Sequence, residues 1–439
     1  MSLTGSAAAV SEVVRFTSDL IAIDTTNVVD PSLQATEYLA AEYVARALVD
    51  VGYDVTVVES GAPGRSNVFA RLAGSDPDAG ALLIHGHLDV VGADPDEWSV
   101  PPFSGEVRDG YVWGRGAVDM KGMLGMTLAV ARTLKRDGVT PRRDLVFAFF
   151  SDEESGGFYG SQWLVRNRPD LFEGVTDAIS EVGGFSVILP QGIRAYLVAT
   201  AEKGGSLIRM TAHGTPGHAS LLHPGNAIEV LAAAVGRIAR HTFPVTTTAP
   251  MRAFIERVST LTGVAYDDGD PEGFVRQLGP ISRKLLPSLR NTAIVTMLAA
   301  GTKSNVVPST AQATIDGRML PGEEDSFAAE LETVAGPDVT LDFDILTGQI
   351  SPFDTPFTDA LAAAIQSEDE GAIVLPFLLS GGTDAKSLKA LGINCYGFAP
   401  LQLPADFDFF SLFHGIDERV PVSALEFGTR VLHRLLCDS

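Results

Sequence analysis

Three short apolar runs, each the length of a buried strand, end in acidic or histidine residues, and this repetition constrains the fold more than any other feature of the chain. Leu82-Leu83-Ile84 leads into His85-Gly86-His87-Leu88-Asp89, Val146-Phe147-Ala148-Phe149-Phe150 into Asp152-Glu153-Glu154, and Ala178-Ile179-Ser180 into Glu181. Strands that are apolar throughout are buried on both faces, which implies a parallel sheet covered by helices. In such sheets functional groups gather beyond the carboxyl ends of the strands. A single acidic strand end is explained by solvation or helix capping; three together point to a site.

The rest of the chain fits that frame. Residues 6–50 read as two helices joined by the loop Asp24-Thr25-Thr26-Asn27, followed by strands near 53–58, 66–73 and 81–84. A helix over 119–136, a strand over 145–150, a helix near 159–167 and a strand over 177–181 continue the alternation. The pattern then changes. Residues 204–346 read as β-α-β-β-α-β, the ferredoxin-like order, interrupted at 245–290 by a proline-punctuated, partly helical insertion. After Pro352 helices and strands alternate again, ending in a helix over 421–436. The expected fold class is therefore α/β: a mainly parallel-sheet domain from residues 1–194 and 349–439, and an inserted α+β domain over 195–348. Hinges are expected near 190–197 and 347–352.

Composition narrows the function. The 439 residues carry 32 Lys+Arg against 55 Asp+Glu, a formal charge of −23, and such a surface repels polyanions, which excludes nucleic acid as a partner. No stretch approaches the roughly 18 apolar residues needed to span a membrane, and the N-terminal segment lacks the basic region of a signal peptide. Two cysteines, Cys395 and Cys437, make no disulfide framework and suit a reducing compartment, so a cytoplasmic location is expected.

Asp119 lies in Trp113-Gly114-Arg115-Gly116-Ala117-Val118-Asp119-Met120-Lys121-Gly122, where glycines allow tight turns. No Gly-Lys-Ser/Thr ending follows, so this is not a phosphate loop. An Asp crowded by other carboxylates makes sense if a cation neutralises them. His, Asp and Glu without Cys suit a divalent ion such as zinc, cobalt or manganese, with zinc the first expectation.

Together, His87-Leu88-Asp89, Gly114-Arg115-Gly116 leading to Asp119-Met120-Lys121-Gly122, Glu153-Glu154, Glu181 and Phe413-His414-Gly415-Ile416-Asp417-Glu418 resemble the M20 family of metallopeptidases and amidohydrolases. The resemblance runs from about residue 12 to the C-terminus. It implies two divalent metal ions per chain, with Asp119 bridging them, His87 and Glu181 on one, and Glu154 and His414 on the other. Asp89 would orient His87 and Glu153 would act as general base. The inserted domain would be the family's lid and dimerisation domain, making the protein a homodimer. His218, in Gly214-Thr215-Pro216-Gly217-His218, would reach the partner subunit's site and stabilise the oxyanion. Asn305 and Arg318 resemble contacts to a substrate carboxylate, and Gly382, in Ser380-Gly381-Gly382-Thr383-Asp384, a glycine loop near the substrate backbone.

Within that family Glu at position 181 is usual in N-acyl-amino-acid hydrolases and Asp in aminopeptidases and dipeptidases. Val182 follows it here, where a Gly is often found. The expected reaction is hydrolysis of the amide bond of a small N-acyl amino acid; a carboxypeptidase or dipeptidase acting on short peptides by the same mechanism is the alternative.

Overall fold

The apolar runs become the centre of a sheet. In the computed structural model, which describes residues 3–28, 30 and 33–439, Ala81–His87 and Leu145–Phe150 are buried at every position. Leu145–Phe150, Ala81–His87, Val175–Ser180 and Asn394–Gly397 lie side by side in that order, all parallel. Antiparallel strands flank them: Ser66–Leu72 and then Val55–Glu59 at one margin, and Arg194–Glu202 beyond Asn394–Gly397. Helices Leu3–Ala22, Lys121–Arg136 and Val422–Asp438 pack against one another. A separate cluster of Phe69, Leu83, Phe150 and Phe172 packs with Leu164 and Leu388 from short helices, so alternate residues of the central strands feed two apolar layers.

The chain divides into two units. The first comprises residues 1–200, 351–376 and 383–439, and the second 201–350 and 377–382. In the second, Gly204–His213 pairs antiparallel with Thr310–Met319 over its whole length, with Thr292–Ala300 beyond and Val339–Asp342 on the other side. Thr310–Met319 buries alternate residues, and these meet helices Ala227–Arg240 and Glu324–Ala335 in a core that includes Ile208, Met210, Leu231, Ile315, Phe327 and Leu331. The element order is β-α-β-β-α-β. The 245–290 insertion contains helices Ala249–Thr262 and Pro271–Arg276.

Three local features differ from expectation. Residues 194–202, read partly as a hinge, form a nine-residue strand buried at every position after Arg194. The helix expected from 119 begins at Lys121, so Asp119 precedes it. A small sheet joins Val107–Arg108, Tyr111–Trp113 and Arg419–Pro421. Among the described residues no helix is long and apolar enough to cross a membrane.

Candidate metal centre

His87 is the last residue of its central strand. Glu153 and Glu154 open a short turn just past Leu145–Phe150, and Glu181 follows Val175–Ser180 directly. Parallel pairing of these neighbours puts all three strand ends on one edge. Asp119 comes from the turn before Lys121–Arg136, and His414 from a turn after Phe409–Leu412. All of them belong to the first unit.

The side chains converge. His87 Nε2 lies 3.1 Å from Asp119 Oδ1 and 3.6 Å from Glu181 Oε2. His414 Nε2 lies 3.2 Å from Asp119 Oδ2 and 3.1 Å from Glu154 Oε2. Each oxygen of Asp119 thus faces a different histidine. Among the described residues, His87, Asp119 and Glu154 form one group of donor atoms within 4.8 Å of one another, and His87, Glu153 and Glu181 form a second.

Electrostatics show what this crowding demands. Burial, then the Asp119 carboxylate, pushes Glu181 up to about 8. Burial, then Glu181, holds Glu153 well above the usual carboxylate range. Burial would also raise Asp119, but hydrogen bonds from His414 and His87 outweigh it and keep Asp119 ionised. Those bonds to Asp119 and Glu154 lift His414 to about 10. Burial disfavours a charge on His87, yet Glu181 and Asp119 hold its proton well above the usual value. Among themselves these carboxylates can be balanced only by protons; a divalent cation meets the same demand with both imidazoles neutral. Glu154 Oε1 is buried and makes no hydrogen bond, an acceptor suited to a cation. The donor set of imidazole and carboxylate fits zinc, cobalt or manganese.

Asp89 differs from its expected role. His87 Nδ1 meets the Asp89 backbone carbonyl at 2.9 Å, while the carboxylate stands 3.7 Å away. The backbone, not the side chain, orients the imidazole. The carboxylate instead accepts the N–H groups of Glu153 and Glu154 at 3.1 Å each and Asn27 Nδ2 at 2.7 Å. Asn27 also receives the Ser155 hydroxyl at 2.6 Å and donates to Asp152 at 3.3 Å. Arg65 pairs with Asp152 at 3.2 Å and with Glu37. Asn27 and Arg65 are supporting residues that sequence reasoning gave no role, and Asp152, noted only as part of an acidic strand end, joins them. Asp384, beside the glycine loop, is buried and pushed up to about 7 by that burial.

Backbone strain concentrates here. His414 has φ 56°, Asp152 φ 69° and Val182 φ 51°. A left-handed β-branched residue is unusual, and it occupies the position next to Glu181 where glycine would adopt that conformation freely.

The other expected residues lie in the second unit. Gly217–His218 pairs with Val306–Val307, and the Ala219 N–H donates to the Asn305 carbonyl at 3.1 Å, so His218 and Asn305 are neighbours. Ser220 N–H donates to His218 Nδ1 at 3.2 Å. Arg318, on the strand Thr310–Met319, pairs bidentately with Asp316 at 2.6 and 2.9 Å. Gly382 belongs to the segment 377–382.

Residues 83–438, most of the chain, match the profile of peptidase family M20/M25/M40. The chain belongs to that family. It is a hydrolytic enzyme acting on amide bonds, as M20 enzymes are, and the family is metal-dependent. A relative in Xenopus tropicalis, N-fatty-acyl-amino acid synthase/hydrolase PM20D1, is 30% identical over 416 residues, covering 91% of this chain and 80% of its own. Aminoacylase-1 from Sus scrofa is 27% identical, covering 85% of this chain and 83% of its own. The same M20 fold occurs in the dipeptidase Dug1p from Saccharomyces cerevisiae, with a TM-score of 0.72 at 16% identity over 99% of this chain and 98% of that one.

Proposed function

We propose that this M20 enzyme hydrolyses the amide bond of N-acyl amino acids at a centre holding two divalent ions, zinc in the first instance. The observation that carries the two-ion reading is the orientation of Asp119, whose oxygens face His87 and His414 separately at 3.1 and 3.2 Å. His87 and Glu181 would hold one ion with Asp119, and Glu154 and His414 would hold the other. Bound there, divalent ions would supply the Lewis acidity that activates a water and polarises the scissile carbonyl.

This chain's residues do the rest. Glu153, grouped with His87 and Glu181, takes the proton from the attacking water and returns it to the departing amine. His87 is oriented by the Asp89 carbonyl. In the second unit, Nδ1 of His218 is occupied by the Ser220 N–H and hydroxyl, which leaves Nε2 as the ring nitrogen to face an oxyanion. Arg318 offers a planar fork to the substrate α-carboxylate; Asn305 and Gly382 are the other proposed substrate contacts. The second unit acts as lid and dimerisation domain. Its edge strand Thr292–Ala300 exposes Ile294, Met297 and Leu298, an apolar edge that supports a homodimer. Cys395 and Cys437 form no disulfide, which supports a reducing, cytoplasmic setting.

The substrate class rests on Glu181 and on the relatives named for N-acyl amino acids. The test is a panel of N-acetyl and longer N-acyl amino acids beside dipeptides, with zinc-loaded enzyme and a chelator-treated control. Chelator-sensitive cleavage faster on the acyl compounds is expected. Faster cleavage of dipeptides reverses the assignment in favour of a peptidase.

A further inference from the structure

Arg115 and Glu418 stand 303 residues apart in sequence and in contact in the fold. Glu418 is fully buried, and its carboxylate is saturated with donors. Oε2 accepts from Arg115 Nη1 at 2.7 Å and from the Gly116 N–H at 2.9 Å. Oε1 accepts from the N–H groups of Val118 at 2.7 Å and Asp119 at 3.0 Å. Four donors therefore converge on one side chain, and three of them are the backbone of the turn that presents Asp119. That turn is tight: Gly116 has φ 90°, and a Cβ there would come within 2.9 Å of the Lys121 and Val90 side chains.

Glu418 also belongs to the segment that carries His414. Its carbonyl accepts the Gly114 N–H at 2.9 Å, and the next residues, Arg419–Pro421, pair antiparallel with Tyr111–Trp113. One residue thus ties the Asp119 turn to the His414 turn, and the two meet where His414 Nε2 lies 3.2 Å from Asp119 Oδ2. Neither Arg115 nor Glu418 is among the grouped donor atoms.

We propose that Glu418 is a positioning residue for the metal centre, a clamp that sets the Asp119 and His414 turns in the relative geometry that cation binding requires. The proposal rests on the metal-centre reading above. It also explains the choice of residue. An ionised carboxylate offers acceptors on both oxygens, whereas glutamine, of the same shape, would turn an NH₂ group toward N–H donors. Burying a charge without direct chemistry is costly unless it is paired and fully hydrogen-bonded, and Glu418 meets both conditions.

A residue that only held the fold together would behave differently from a clamp, and the test separates them. Metal-free wild-type protein and Glu418→Gln are titrated with zinc in competition with a chromophoric chelator, and the melting temperature of each metal-free protein is recorded. Asp417→Asn serves as a control on the same segment, because Asp417 accepts from Ser99 N–H and Oγ at 2.8 Å, away from the Asp119 turn. Loss of a residue that orients metal ligands lowers affinity by about 10–100-fold. The expected result is a fall of that order in zinc affinity for Glu418→Gln, measured below its melting temperature, with Asp417→Asn binding as wild type. Unchanged zinc affinity in folded Glu418→Gln, whatever its melting temperature, overturns the clamp and leaves a purely structural residue. If Glu418→Gln does not fold, Arg115→Lys, which keeps the charge but loses the fork, takes its place; it should show a smaller fall in the same direction, and unchanged affinity there overturns the proposal equally. Wild-type protein binding a single zinc ion would refute the two-ion reading while a weakened site in Glu418→Gln still upheld the clamp. Wild-type protein binding none would refute both.

Discussion

Oδ1 of Asp89 accepts the backbone N–H of Glu153 at 3.1 Å. The proposed base is thereby held from behind, by its own main chain, with its side chain left to the His87–Glu181 group. Oδ2 grips Glu154 in the same way, at 3.1 Å. One carboxylate thus places a candidate ligand and the candidate base side by side. Such support is what keeps a catalytic group within the small tolerance that proton transfer allows.

Glu153→Gln keeps the shape and removes the base. Turnover should fall by about 10²–10⁴-fold, the usual contribution of general-base catalysis, with metal content per chain as in wild type. Steady-state rates and elemental analysis of the same preparation check this. Substantial turnover in the variant would assign the base elsewhere.

His414 occupies a left-handed conformation, φ 56°, which asparagine tolerates and alanine does not. His414→Asn should therefore lose ligation without adding backbone strain. Bound metal should drop from about two ions per chain toward about one, with the melting temperature of the metal-free protein near that of wild type. Two ions retained at wild-type affinity would remove His414 from the ligand set.

Arg318 is already paired with Asp316, so it is pre-oriented but only partly engaged. A hydrogen bond to a charged group contributes about 1.5–3 kcal/mol, so Arg318→Ala should raise KM about 10–100-fold and leave kcat close to wild type. The contrast between an N-acyl amino acid and its C-terminal amide isolates the carboxylate. Wild-type enzyme should prefer the acid, and the variant should lose most of that preference. An undiminished preference would show that the carboxylate is bound by another group.

Lys203, in the second unit, is fully buried and donates to the Arg290 carbonyl. Burial, then Arg318 and Arg290, pushes its amine down to about 7 from the ordinary 10.5. Between those values the unfolded chain binds a proton that the folded chain does not, so stability rises with pH. As pH falls through about 7, the buried amine must take up the proton and that stability is lost. Relative to Lys203→Met, the wild-type melting temperature should therefore gain steadily from pH 7 to 10.5. A difference that stays flat over the range would place the ionised amine comfortably in the fold.

The central sheet was legible because its strands carry short apolar runs, and His87, Glu153, Glu154 and Glu181 because each stands at or just past such a run. Asp119 and His414 sit in irregular turns: the glycines around Asp119 drew notice to it, while only motif resemblance picked out His414. Strands of two or three residues, such as Val107–Arg108 and Arg419–Pro421, are too short to show a period. The Arg194–Glu202 strand lies beside proline and glycine, which masked nine residues of continuous structure. The side-chain task of Asp89 was invisible for another reason. The family resemblance implied a contact to His87 that the backbone carbonyl makes instead. The pairing of Arg115 with Glu418 spans 303 residues, a separation at which spacing carries no information.

The first unit is made from residues on both sides of the second, and this orders events during synthesis. Chains usually fold domain by domain from the N-terminus. Here residues 201–350 leave the ribosome before the strand Asn394–Gly397 and the turn bearing His414 exist, so the inserted unit can be complete while its host still lacks a central strand. On the proposed ligand set, metal acquisition would be correspondingly late: His87, Asp119, Glu154 and Glu181 are translated early, and the set would be complete only when His414 arrives. A nascent chain paused inside the insertion would display exposed carboxylates and no finished centre, which makes this enzyme inert until nearly all of it has been made.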